Sequence, residues 1–280
     1  MILWFALKFL TSGKVKDVYD LEDGNLQFKF SNRVSAYDVK FNDEIPKKGE
    51  VLCKFAEFWF NELDIPNHFV WRISDTEIIV KKMEMLPIEC IVRGYFYGSL
   101  EESYNNNSIQ LDNVDDISLA EKLPTPIFDP TTKAEHDVPI TKIDAIKFGL
   151  VSEHEFDWLA KTSIQIYNIM SAKAKSAGFI LADLKLEFGK HENELFLSDS
   201  IGPDEYRLWL KDDYSVGKIQ EAYDKQLLRD WLTENGFKKK FDDARVSGKE
   251  PTPPNIPKEL VKKMTDRYEK SYELIVNQKL

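Results

Sequence analysis

At 280 residues the chain is long enough for one large domain or two smaller ones with a sizeable core, and 42% hydrophobic with 31% charged residues is ordinary for a globular protein that folds without staples. A formal net charge of −10 argues against a nucleic-acid binder, which needs a basic footprint, so an anionic substrate must be held by local lysine and arginine clusters. The two cysteines, Cys53 and Cys90, lack any Cys-x-x-Cys spacing, which argues against a disulfide framework or a zinc site and points to a reducing, cytoplasmic compartment.

In chain order, residues 1–10 are mostly apolar, without a basic start or a small-residue cleavage site, and too few to span a bilayer. They are expected to form an opening strand, with a membrane-lying segment as the other reading. Residues 11–19 set a glycine turn before Lys14-Val15-Lys16, and Asp23-Gly24 leads into a strand over 26–30. Turn, strand, Asp-Gly hairpin and strand is the shape of a glycine-rich loop folded over phosphates; taken alone, Gly-Lys favours an exposed hairpin, and no Walker sequence is present. Residues 31–38 carry polar groups without an apolar period and read as a loop of the kind that often carries function. Ile45-Pro46-Lys47-Lys48-Gly49 turns into a helix over 50–63 with Phe55, Phe58, Trp59 and Leu63 as its core stripe. Strands over 69–72 and 77–83, split by Asp75, complete a mainly antiparallel first lobe, and residues 81–87 are expected to cross to the second.

Residues 87–99 set Arg93 at the end of an apolar strand beside Gly94, Gly98 and Ser99, which suits a bound phosphate or carboxylate, or equally a buried structural arginine. The asparagine-rich stretch 105–116 is a polar excursion. Residues 124–137 are punctuated by Pro124, Pro126 and Pro130, cannot be helix, and read as an ordered loop presenting Lys133 and Asp137. A helix follows from Glu153, with Ser152 and Glu155 as a capping box, Phe156, Leu159, Ile166 and Met170 as its stripe, and Gly178 just beyond its end.

From Ala182 to Phe188 the chain alternates strictly, with Asp183, Lys185 and Glu187 on one face of a half-buried strand. A second run over 195–200 offers Asp199 as a further carboxylate across a hairpin, and for Asp199 to share the face of Glu187 the loop needs an odd number of residues or the ladder a bulge. Two carboxylates and a lysine facing one cleft suit a magnesium nucleotide, while a solvated strand face with a surface ion pair is the plainer alternative. Amphipathic helices over 220–235 and 257–279, joined by a charged loop at 248–257, are expected to close the second lobe.

The four histidines, His68, His136, His154 and His191, form no metal-ligand spacing, and neither Gly-x-Ser-x-Gly nor Gly-x-Gly-x-x-Gly occurs, which leaves phosphate chemistry. Taken together, Gly-Lys-Val-Lys-Asp-Val-Tyr at 13–19, Arg-Val-Ser-Ala-Tyr-Asp at 33–38, Ile-Pro-Lys-Lys-Gly at 45–49, Val-Arg-Gly-Tyr with Gly-Ser at 92–99, Thr-Lys-Ala-Glu-His-Asp at 132–137, Asp-Leu-Lys-Leu-Glu-Phe-Gly at 183–189 and Pro-Asp-x-x-Arg-x-Trp at 203–209 resemble the SAICAR synthetase family of purine biosynthesis in order and over nearly the whole chain.

The resemblance implies a two-lobe α+β fold similar to kinase and ATP-grasp nucleotide clefts, with a nucleotide-covering lobe over 1–85 and a substrate and metal lobe over 86–280. It implies ligation of L-aspartate to a carboxylated aminoimidazole ribotide, with ATP consumed to ADP and phosphate through an acyl phosphate. By position, Lys14 and Lys16 would hold the ATP phosphates, Lys81 and Met85 the adenine, and Glu187 and Asp199 magnesium. Lys185 with Asp183 would face the reacting carboxylate, and Arg93, Ser99 and Arg207 would grip the ribotide phosphate, with Lys133 and Asp137 on a closing loop. Apart from the resemblance, Asp183 is hypothesised as the base for the aspartate amine because it shares a strand face with Lys185. Gly202 stands where the family usually has threonine, Glu205 and Tyr206 where it has small serines, and Asn32 where aspartate is usual. The partners expected are small molecules, with no nucleic acid and no membrane, and a homo-oligomer is left open. The alternatives are a kinase-like phosphotransferase on another small anionic acceptor and a nucleotide-binding module without turnover, against which the joint presence of Arg93 and Arg207 argues.

Overall fold

The computed structural model describes residues 7–106, 109, 111, 116–133 and 138–280. These form two compact units: the chain up to Met83 with Ser200–Asp204 and Tyr223–Leu280, and Glu84–Asp199 with Glu205–Ala222.

In the first unit, β1 (Lys8–Ser12), β2 (Lys16–Asp20) and β3 (Asn25–Phe30) form an antiparallel meander, with Gly24 at φ +89° turning β2 into β3 as Asp23-Gly24 predicts. Of the strand expected over 1–10, residues 1–6 lie outside the described residues. Residues 31–38 are not a loop. Arg33–Ala36 form β4, paired with β5 (Val39–Glu44) through a turn in which Tyr37 and Asp38 both have positive φ. Val34 and Ala36 do alternate inward, but four residues beside Ser31-Asn32 are too few to show a period.

α1 (Lys48–Glu62) buries Phe55 and Trp59 as expected, with Phe60 rather than Phe58 completing the stripe. β6 (Phe69–Arg72) and β7 (Glu77–Lys81) finish a five-stranded sheet of order β1-β2-β3-β7-β6 on which α1 packs.

The expected crossing at 81–87 shrinks to Lys82 and Met83, because β8 (Glu84–Tyr95) begins at Glu84. Pro87 lies inside this strand where the ladder to one neighbour slips, and its carbonyl accepts the Lys133 N–H at 3.0 Å on the other side. α2 (Ser99–Asn105), β9 (Lys122–Phe128), β10 (Thr131–Thr132) and α3 (Lys142–Lys147) follow. Residues 124–133 are therefore not helix, as expected, but run largely as edge strands instead of a loop. Pro124 and Pro126 fall where the β8–β9 register breaks, between the pairs Arg93–Ile127 and Tyr95–Lys122.

α4 (Glu153–Ser176) has both bonds of the Ser152/Glu155 capping box and the buried stripe predicted for it. Gly178, at φ +84°, turns the chain into β11 (Phe179–His191), which is followed by β12 (Glu194–Ser198) and β13 (Tyr206–Leu210). β8 and β11 pair with each other at the centre of an antiparallel sheet; β9 and β10 flank β8, while β12 and β13 flank β11. α4 lies along β11, where the Tyr167 hydroxyl donates to the Leu181 carbonyl at 2.8 Å.

The chain then returns to the first unit with α5 (Gln226–Glu234), α6 (Phe237–Val246) and α7 (Lys258–Val276). These helices do not close the second unit: α7 buries Met264, Tyr268, Tyr272 and Ile275, and Tyr272 meets Phe55 of α1 edge to face at 5.3 Å. The helix expected over 220–235 starts only at Gln226, whose N–H is capped by Asp224 at 2.6 Å. α6 was not expected, since Lys238-Lys239-Lys240 masks a period in which only Phe241 is buried.

Candidate active site

The β8–β11 ladder places Asp183 opposite Arg93, Lys185 opposite Ile91 and Glu187 opposite Glu89. Directly opposed residues share a face, so the alternation of both strands gathers these side chains in one layer. β11 is central and not half-buried: Asp183 is 6% exposed and Glu187 7%, which rules out the reading of a solvated strand face. Lys185 Nζ donates to Glu89 Oε1 at 2.7 Å and to Glu187 Oε1 at 3.1 Å, while Lys133 donates to the other oxygen of Glu187 and Thr131 reaches Glu89 at 3.5 Å. Burial alone would push the Lys185 ammonium down, but the Glu187 and Glu89 carboxylates, with Asp199 adding to them, raise it above its ordinary value and keep it charged.

Asp199 reaches this environment by a route other than the expected odd loop or bulge. The hairpin turns on two residues, Glu192 and Asn193, both with positive φ, and the ladder sets Glu187 opposite Ser198. Alternation would send the next residue to the far face. Asp199 instead follows the end of β12 in the left-handed region, at φ +60°, and leaves the ladder.

At the other end of the layer, Arg93 donates from Nε to Asp129 at 2.9 Å and from Nη2 to Ser99 at 2.9 Å, with Asp183 3.7 Å from its Nη1. It is buried, as the structural-arginine reading expects, yet its partners include the predicted Ser99 and Asp183. β13 sets Arg207 opposite Asp183, and its Nη1 donates to Asp183 Oδ2 at 2.5 Å. Two guanidinium groups thus converge on one buried carboxylate. Tyr206 stands opposite Leu184 and is buried on the face away from Arg207, and the Glu205 carbonyl accepts the Lys185 backbone N–H at 2.7 Å.

Within the first unit, Lys14 is exposed and paired with Asp38 at 2.5 Å. Lys16 is buried, its Nζ 3.1 Å from Ser200 Oγ and 5.0 Å from the centre of the Phe28 ring. Lys81 is exposed at the end of β7, with its backbone N–H on the His68 carbonyl. Met85 belongs to the second unit and is exposed opposite Gly189. Asp137 lies outside the described residues.

Sequence reasoning missed Glu89 and Asp129. The signal for Glu89 was present: it is a lone acid in the apolar run 88–92, an even four residues before Arg93 and hence on the same strand face. Asp129, between Phe128 and Pro130, gave none. Among the described residues no three His, Cys, Asp or Glu side chains are arranged to hold a metal ion by themselves. The oxygen-only donors around Lys185 fit magnesium nonetheless, since that ion takes one or two carboxylates and completes its shell with water and substrate phosphates.

The SAICAR synthetase family matches residues 9–244. The chain is 64% identical over 274 residues to the phosphoribosylaminoimidazole-succinocarboxamide synthase of Nitrosopumilus maritimus (strain SCM1), covering 98% of this chain and all of the relative. It is 36% identical to the protein of the same name from Candida maltosa, covering 96% and 95% of the two chains. The structure of the SAICAR synthase from Saccharomyces cerevisiae complexed with SAICAR superposes with a TM-score of 0.84 at 32% identity, over 100% of this chain and 98% of that one.

Proposed function

The chain belongs to the SAICAR synthetase family, and on that premise we propose that it joins L-aspartate to the carboxylate of 5-amino-1-(5-phospho-D-ribosyl)imidazole-4-carboxylate, giving SAICAR, ADP and phosphate. The observation that carries the reading is the 64% identity across the full length of a named synthase. A phosphotransferase acting on another small anionic acceptor is not favoured, because the likeness extends over the whole chain and is not confined to a nucleotide-binding part.

A carboxylate is a poor electrophile at neutral pH. One of its oxygens attacks the γ-phosphorus of ATP, ADP leaves, and the resulting acyl phosphate is attacked by the aspartate amine; phosphate departs with the carboxylate oxygen as the amine loses a proton. Lys185, held charged between Glu89 and Glu187, is assigned to the reacting carboxylate, where its ammonium offsets charge that develops during transfer. Arg93, Ser99 and Arg207 are assigned to the ribotide phosphate, which the guanidinium fork binds better than an ammonium does. Asp183 aligns both arginines and, from the same strand face as Lys185, is the candidate base for the amine.

Lys14 and Lys16 are assigned to the ATP phosphates, Lys81 and Met85 to the adenine, and Lys133 with Asp137 to a segment over the substrate. Glu187 and Asp199 are the residues that would hold magnesium, which when bound neutralises phosphate charge during the transfer. No described helix is long and apolar enough to cross a membrane, and the cytoplasm is the compartment proposed.

The test is ADP release from ATP and the aminoimidazole ribotide carboxylate in magnesium buffer, with and without L-aspartate, the product mass being read in the same tubes. Release that requires aspartate and yields the succinocarboxamide is expected. Release indifferent to aspartate would contradict the proposal.

A further inference from the structure

Arg207 is confined from three directions. Its Nη1 is held by Asp183 at 2.5 Å, and its guanidinium carbon lies 5.7 Å from the centre of the Tyr97 ring. The third constraint is the residue between Tyr97 and Ser99. Gly98 has φ +65°, and a Cβ added there would fall 2.7 Å from Arg207 Nη2 and 2.9 Å from the guanidinium carbon, closer than real Cβ contacts come. The close approach of Arg207 to this backbone therefore requires glycine at position 98.

The Tyr97 ring is itself fixed. It is buried and meets Trp209 edge to face at 5.1 Å, and Trp209 in turn meets Tyr95 at 5.4 Å and stacks on Tyr214 at 6.2 Å. Trp209 is two residues beyond Arg207 on β13, so one strand face carries both the cation and the ring that backs its aromatic support. A ring face within about 6 Å attracts a guanidinium through its quadrupole. That attraction acts on the plane of the group, together with the Asp183 contact on Nη1.

We propose that Tyr97 is a positioning residue for substrate phosphate: its ring, backed by Trp209, orients the Arg207 guanidinium in a fixed plane. The proposal rests on the reading of Arg207 as a ribotide-phosphate ligand. It explains why a tyrosine and a glycine precede Ser99, a pair whose chemistry the reaction itself does not use.

The experiment compares Tyr97→Met, Tyr97→Phe, Arg207→Lys and the Tyr97→Met/Arg207→Lys double variant by steady-state kinetics with the ribotide carboxylate, ATP and L-aspartate. Tyr97→Met is expected to raise the ribotide KM roughly tenfold without raising the KM for ATP, in the range of a desolvated cation–π contact. Tyr97→Phe, which keeps the ring, is expected to restore it. In the Arg207→Lys background, Tyr97→Met is expected to add little, because the group it orients is gone.

An unchanged ribotide KM in Tyr97→Met, or the same added factor in both backgrounds, would overturn the proposal while leaving the Arg207 reading standing. An unchanged KM in Arg207→Lys would overturn that reading and the proposal with it. Replacing Tyr97 by phenylalanines with successively more ring fluorine keeps the packing while weakening the negative ring face. A stepwise rise in ribotide KM supports the proposal even if Tyr97→Met folds poorly, and a flat series contradicts it.

Discussion

Lys185 is the residue whose surroundings say most about its task. A buried ammonium is unfavourable alone, and here two carboxylates on opposed strands hold it charged. Lys185→Met would leave Glu89 and Glu187 facing each other across a buried layer, so kcat/KM is expected to fall by about 10² or more, in line with the loss of one charge-stabilising group. Activity within a factor of a few of the parent, measured with all three substrates saturating in turn, would remove Lys185 from the site. Asp183→Asn separates two assignments. Loss of a base slows amide formation while the ribotide KM holds, whereas loss of the group that aligns Arg93 and Arg207 raises that KM. If neither quantity moves, Asp183 has no part in the reaction.

Among elements, β11 was the most legible, because strict alternation of charged and apolar residues over 182–188 survives even in a strand buried on both faces. The capping box of α4 was equally plain, since it is a local bond pattern. What the sequence hid was set by tertiary context. Nothing local pairs Glu89 with Lys185 across two strands, and the proline-rich residues 124–128 become an edge strand only because β8 offers its side there. Asp199 joined its cluster by a backbone turn that no alternation rule contains.

Two predictions belong at this scale. A Cβ on Gly94 of β8 would fall 1.6 Å from the Tyr167 hydroxyl and 2.5 Å from its ring carbon. Gly94→Ala is expected to lower the melting temperature by several degrees or more, through an overpacking cost of about 1–3 kcal/mol, and Tyr167→Phe is not expected to rescue it because the ring carbon still clashes. An unshifted midpoint would mean that α4 can move away freely. In the hairpin, Glu192 and Asn193 both hold positive φ, so Glu192→Asn with Asn193→Gly is expected to stabilise by about 0.5–1 kcal/mol in urea unfolding, and destabilisation would show that the present side chains contribute more than the turn strain costs.

For the whole molecule, acid is the vulnerable side. In the second unit, hydrogen bonding to Lys190 is the main cause that lowers the Glu155 carboxyl to about 2. In the first unit, Asp204 would be pushed up by burial, but Lys48, with Lys225 and the Tyr268 hydroxyl helping, holds it below its usual value. A depressed carboxyl contributes stability that is complete above its unfolded value, about 4.5 for Glu155, and is lost as pH falls toward the folded one. Urea midpoints are therefore expected to drop between about pH 5 and 3, with a shallower drop in Glu155→Gln. A midpoint that rises over this range would contradict that assignment.

The family relationship makes the chain an ATP-dependent ligase, and the reaction proposed for it activates the substrate carboxylate by phosphoryl transfer. Oxygen-18 placed in that carboxylate tests this most directly, with ATP, magnesium and L-aspartate present and the phosphate and SAICAR analysed by mass. One labelled oxygen in each inorganic phosphate, formed in step with SAICAR, is predicted. Unlabelled phosphate alongside SAICAR would show that the carboxylate was never phosphorylated and would contradict the account.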